Sequence, residues 1–128
     1  MLRTYGAIGS LLALLAVALG AFGAHGLEDK IDADLLAAYK TGVQYHMFHA
    51  LGLIALGIVS DKLSGAEGSL RWAGRLLTAG IVLFSGSLYV MAVTDIKPLG
   101  IITPFGGVAF LAGWAFLASA FWKQRRSS

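Results

Sequence analysis

The stretch Thr4–Ala24, TYGAIGSLLALLAVALGAFGA, decides the fold. It carries no ionisable side chain except the phenol of Tyr5. About 20 consecutive apolar residues suffice for a helix to cross the hydrocarbon core of a bilayer. Backbone polar groups find no water there, so a single apolar stretch of this length must satisfy them within itself, as a helix. Two more stretches repeat the pattern. Leu76–Thr94, LLTAGIVLFSGSLYVMAVT, lies uncharged between Arg75 and Asp95, and another uncharged run lies between Lys97 and Lys123.

The second span is less regular. Leu35–Ser60 is apolar overall but holds Lys40, Gln44, His46 and His49. Upstream, Leu27, Ile31, Leu35 and Tyr39 recur every fourth residue, a helical stripe, with Glu28, Asp29, Lys30, Asp32 and Asp34 between them. This predicts an amphipathic interfacial helix over 28–41 that runs into the second span, with Lys40 snorkelling to the headgroups. Ahead of the fourth span, Thr103 suits a helix cap and Pro104 a first turn, where a missing N–H costs nothing. The other reading of Pro104 is a kink in a longer helix. Gly65–Ser69 reads as a polar turn. The expected architecture is all-α: one polytopic domain of four transmembrane helices in a compact bundle, with spans near 4–24, 42–60, 76–94 and 103–122.

Composition agrees. Of the 128 residues, 57% are hydrophobic and 13% charged, about half the charged share of soluble domains. A soluble domain this small could not bury so much apolar surface. With no cysteine, disulfides, thiolate metal sites and cysteine nucleophiles are excluded. The net charge of +3 does not imply a nucleic-acid partner, because the basic residues sit at span ends rather than in an aromatic-studded patch. The partner that composition calls for is the lipid bilayer. The apolar part of Thr4–Ala24 exceeds an ordinary signal-peptide core, so the expectation is a retained span.

Lysines and arginines concentrate on the cytoplasmic side of membrane proteins. An inside N-terminus puts Arg3, Lys62, Arg71, Arg75, Lys123, Arg125 and Arg126 on one side against Lys30, Lys40 and Lys97 on the other. Both termini are therefore expected in the cytoplasm, with Trp72 and Trp122 at the inner interface. Small residues such as Gly6 and Ser10, or Gly20 and Ala24, are spaced for close helix approach, within one bundle or between copies of a homo-oligomer.

Ionisable groups inside a span are costly and so are candidates for function. His46 and His49 lie three apart on one helix, and Tyr45 can reach His49. By topology His25, Tyr89 and Thr103 fall at a similar depth. This predicts an outward-facing polar cluster of His25, Gln44, His46, His49, Tyr89 and Thr103, with Gln44 the weakest member because it points away from His46. Several roles stay open. Such groups stitch membrane helices together at about 0.6 kcal/mol per bond. They could instead line a ligand or headgroup pocket, or ligate haem or a metal through His46, His49 and His25. A proton relay or transport path is disfavoured, since no Asp or Glu lies within a span. Nothing requires a cofactor. No phosphate-binding loop or nucleophile elbow is present, so no catalytic residue is expected, and Ser85-Gly86-Ser87 reads as helix packing.

Four segments occur in order: Gly20-Ala21-Phe22-Gly23-Ala24-His25-Gly26-Leu27, Thr41-Gly42-Val43-Gln44-Tyr45-His46-Met47-Phe48-His49-Ala50-Leu51-Gly52-Leu53, Leu83-Phe84-Ser85-Gly86-Ser87-Leu88-Tyr89, and Leu99-Gly100-Ile101-Ile102-Thr103-Pro104-Phe105-Gly106-Gly107 with Gly113-Trp114. Together they resemble the YgdD-like family of small inner-membrane proteins, a domain of unknown function. The resemblance implies four helices and a bacterial inner membrane, and brings no catalytic residue. The expected role is that of a small accessory or oligomeric membrane component. The alternatives are a ligand-, haem- or metal-binding protein using the outward histidines, and a small-solute transporter or channel as an oligomer.

Overall fold

A computed structural model describes residues 1–124. Arg125 and Arg126, part of the charge count above, lie outside the described residues. The order is α1 (Leu2–Phe22) with a π-helical turn Gly23–Leu27, α2 (Ala33–Ser60), α3 (Glu67–Gly80), a π-helical segment Ile81–Ser85, α4 (Gly86–Thr94), a 3-10 turn Lys97–Ile101, and α5 (Thr103–Trp122). Helix α3, the π segment and α4 follow one another directly as the third span. Among the described residues, four helical units are long and apolar enough to cross a membrane.

The interfacial helix expected over 28–41 is helical only from Ala33. Residues 28–30 form a turn in which Asp29 takes a positive φ of 68°, a conformation that Asp tolerates better than most residues. Asp32 then caps α2, its carboxylate accepting from the Asp34 N–H at 3.1 Å. The acidic residues that interrupted the apolar stripe thus supply the stop and the cap. From Ala33 the helix runs unbroken to Ser60, so the interfacial turns and the second span are one rod.

The third helix starts at Glu67 rather than near Leu76. Its first turns are amphipathic. Leu70, Ala73 and Leu77 are buried, while Arg71, Trp72 and Arg75 stay exposed. The expected turn over Gly65–Ser69 therefore shortens: Gly65 holds the left-handed φ of 79° and helix follows two residues later. Thr103 does not cap the fourth span. It occupies the first helical position, with Pro104 second and Ile102 already helical at the cap. The 3-10 turn feeds straight into α5, and the Ile102 carbonyl accepts from the Phe105 N–H at 3.1 Å, so the threonine hydroxyl is left for another partner.

The core stacks in three layers along the bundle. Leu27, Leu35, Tyr39 and Ala92 form one end. Leu53, Leu77, Ile81 and Phe110 form the middle. Leu56, Leu63, Ala66, Leu70, Ala73, Leu117 and Ala120 form the other end. Close backbone approach, the main attraction between helices in lipid, is visible at two glycines. A Cβ on Gly9 would stand 2.7 Å from the Ala50 carbonyl oxygen, and one on Gly106 would run into the Phe84 backbone. Outward-facing side chains are apolar, as Leu11, Val17, Phe105 and Leu111 show, each over three-fifths exposed. That surface suits hydrocarbon.

Candidate functional site

His46 and His49 share a helix but not a neighbour. Three residues of α-helix turn through about 300°, so their side chains diverge by about 60°. That is enough to send one toward α1 and α4 and the other toward α5.

His46 is 2% exposed. Its Nδ1 lies 2.8 Å from the Tyr89 hydroxyl. Gly42, one turn earlier, makes room for the Tyr89 ring, which would touch a Cβ there at 3.0 Å. The Gly42 carbonyl accepts the Ser85 hydroxyl at 2.8 Å. Tyr89 packs on Tyr39 with ring centres 5.2 Å apart, and Tyr39 donates its hydroxyl to the Leu19 carbonyl of α1. Nε2 of His46 is buried with no hydrogen-bond partner among the described residues. Either tautomer of His46 leaves that nitrogen unpaired, and an unpaired buried polar group costs about 1–3 kcal/mol.

His49 is 5% exposed and fully bonded. The Trp114 indole N–H donates to its Nε2 at 2.9 Å. Indole only donates, so Nε2 is the bare nitrogen and Nδ1 carries the proton. Nδ1–H then donates to the Tyr45 carbonyl at 2.7 Å. It is thus the Tyr45 backbone, not its hydroxyl, that binds His49, while the two rings lie nearly parallel at 6.0 Å. Phe110 stacks on the imidazole at 3.6 Å, and Gly52 leaves space for the Trp114 ring.

This group floors a groove of about 520 Å³ between α2 and α5, walled by Tyr45, Phe84, Pro104, Val108 and Leu111. The groove opens sideways, on the face that the apolar surface presents to lipid. Its histidine and tryptophan are spent on each other, so the wall is chemically apolar despite their presence.

The other predicted members sit apart. Thr103 bonds Ser87 at 2.6 Å, and Ser87 donates to the Phe84 carbonyl at 2.9 Å, tying α5 to α4. His25 is exposed on the π-helical turn and Gln44 is exposed on α2; neither joins the histidine pair. The expected single cluster is therefore two separate bonded groups, His46 with Tyr89 and His49 with Trp114, plus a hydroxyl tie. Among the described residues, no three His, Cys, Asp or Glu side chains come together as a metal site. Ligation through His49 Nε2 would require breaking the Trp114 bond. A second cleft, of about 450 Å³, lies at the α2 start between Asp32, Asp34, Asp95 and Lys97.

Spacing alone missed Trp114 and Phe110 as partners of the histidines. A signal was present: Trp114 stands mid-span, far from the interface where tryptophan usually sits, and needs an acceptor there.

A family described as "Protein of unknown function (DUF423)" matches residues 19–107, which include His25, both buried histidines, Tyr89 and Thr103, and end before Phe110 and Trp114. The chain is 62% identical over 96 residues to the UPF0382 membrane protein YwdK of Bacillus subtilis, covering 75% of this chain and 77% of the relative. It is 47% identical to a UPF0382 membrane protein of Staphylococcus epidermidis, covering 75% and 76%. No solved structure matches. With four apolar membrane-length helices and these relatives, the chain belongs to the DUF423 family of UPF0382 membrane proteins, to which no activity is assigned.

Proposed function

We propose that this chain is a non-enzymatic accessory component of the bacterial inner membrane, with both termini cytoplasmic, and that it joins a larger membrane assembly through the α2–α5 groove. The observation that carries this reading is the pairing of polar groups inside the bundle. His49 with Trp114, His46 with Tyr89, Ser85 with Gly42 and Ser87 with Thr103 bond one another. Among the described residues, the one buried side-chain nitrogen or oxygen left over is His46 Nε2. Chemistry or solute passage needs polar groups free to meet a substrate. Packing needs them satisfied. The concave surface left over is apolar and open to the side, a shape that receives a neighbouring transmembrane segment. The resemblance to the YgdD-like inner-membrane proteins supports the location, and the excess of Lys and Arg supports the orientation.

Haem or metal binding through the histidines is the second reading; His46 Nε2 alone favours it. The test of the leading reading is a photoreactive side chain placed at Val108 or Leu111, on the groove rim, and for comparison at Leu14 on exposed α1. Irradiated native membranes should give one discrete protein adduct from the rim positions and none from Leu14. Lipid adducts alone at all three positions would remove the proposal. A phosphatase fusion after Ile96 should be active and one after Gly65 inactive; the reverse would overturn the orientation.

A further inference from the structure

We infer that the edge of α3 and α5 around Trp72 binds the headgroup of an anionic phospholipid. At this end of the bundle the described bases are Arg3, Lys62, Arg71, Arg75 and Lys123, against the acids Asp61 and Glu67. The excess is not spread evenly. Arg75 holds its guanidinium 5.5 Å over the ring of Trp72. Trp72 in turn stacks on Phe116 of α5, ring centres 6.4 Å apart. From the end of α5, Lys123 reaches back to α3 and donates to the Ser69 hydroxyl at 3.4 Å, one turn from Trp72. Two cations from two helices therefore flank one exposed aromatic shelf.

The arrangement asks for an anion. A ring face attracts a guanidinium but accepts none of its five N–H groups. Arg71, four residues before Arg75 and also exposed, lies on the same face. Helical side chains lean toward the N-terminus, so both arginines tilt back toward the start of α3, where Lys123 arrives. A phosphodiester suits bidentate arginine recognition. Its acyl chains would lie against Trp72 and Phe116, which are exposed. A zwitterionic headgroup brings its own cation, which these bases repel, so a net negative lipid is selected. Basic sites between membrane helices are a recurring solution for such headgroups. The inference does not rest on the accessory reading and holds whichever side of the membrane this end faces.

The test is native mass spectrometry of the full chain in mild detergent, titrated with phosphatidylglycerol or with phosphatidylcholine of the same acyl chains. The chain should retain phosphatidylglycerol severalfold over phosphatidylcholine. Arg75→Gln and Lys123→Gln should each reduce that retention about fivefold, equal to ~1 kcal/mol per cation. Lys40→Gln, at the start of α2, should leave it unchanged. Equal retention of the two lipids by the unaltered chain would overturn the site, and needs no variant to fold. An equal loss in Lys40→Gln would overturn it too, by reducing it to net charge.

Discussion

Trp114 donates its indole N–H to Nε2 of His49 at 2.9 Å, across the contact between α5 and α2. This bond fixes the imidazole as the neutral tautomer protonated at Nδ1. It lies beneath the groove between α2 and α5, with His49 5% exposed. Removing either partner should therefore be felt. Trp114→Phe should destabilise the protein by about 1 kcal/mol, near the upper part of the range for hydrogen bonds between membrane helices. A double-mutant cycle with His49→Phe, read from unfolding in mixed detergent micelles, should return a coupling of about 0.6–1.7 kcal/mol. A coupling indistinguishable from zero would show that the two side chains do not bond.

The same bond predicts the spectrum of the purified protein. Axial haem or metal ligation needs an unprotonated ring nitrogen, and that nitrogen of His49 is occupied by Trp114. His25 stands elsewhere and is exposed, and the unpaired Nε2 of His46 is closed inside the bundle on a residue 2% exposed. The protein purified in mild detergent should be colourless, with metal below stoichiometric amounts. A Soret band that disappears in His49→Ala would mean that Trp114 gives way to a ligand, and the packing account of that histidine would fall.

How much of this was legible in the sequence depends on what each feature needs. The four spans were legible because length and charge punctuation are local: Arg75 and Asp95 bracket one, Lys97 and Lys123 another. The start of α3 at Glu67 was not. Arg71 and Arg75 looked like a boundary, yet their long stems let a helix continue past the interface with the charges outside. The candidacy of His46 and His49 was legible from their cost in lipid. Their directions were not, because 60° of divergence decides the neighbour and the neighbour is set by how helices cross. Thr103 shows the same limit. Its spacing before Pro104 suits a cap, and only the 3-10 turn ahead of it frees its hydroxyl for Ser87.

Glycine positions give a contrast within one protein. A Cβ at Gly9 meets the Ala50 backbone carbonyl at 2.7 Å, and backbone cannot turn aside as a flexible side chain can. At Gly86 a Cβ meets nothing within 4 Å. Gly9→Ala should therefore cost about 1–3 kcal/mol by forcing α1 away from α2. Gly86→Ala should be neutral or slightly stabilising, since alanine is the better helix former. Detergent-induced unfolding of both variants checks this, and equal effects would refute the close approach of α1 and α2.

The unpaired Nε2 of His46 makes the His46–Tyr89 pair asymmetric. Tyr89→Phe removes the partner of Nδ1 and leaves a buried imidazole with neither nitrogen bonded among the described residues. Leaving a buried polar group unmet costs about 1–3 kcal/mol, whereas replacing both partners by apolar groups of similar shape is nearly neutral. Tyr89→Phe alone should thus lose about 1–3 kcal/mol. The double variant His46→Phe, Tyr89→Phe should recover most of that loss, because it also deletes the orphaned nitrogen. Phenylalanine is larger than histidine, so His46→Leu with Tyr89→Phe serves as the second form and should recover stability in the same direction. If both double variants are less stable than Tyr89→Phe alone, Nε2 has a partner that contributes to stability, and His46 gains its place in the core from that bond rather than from Tyr89.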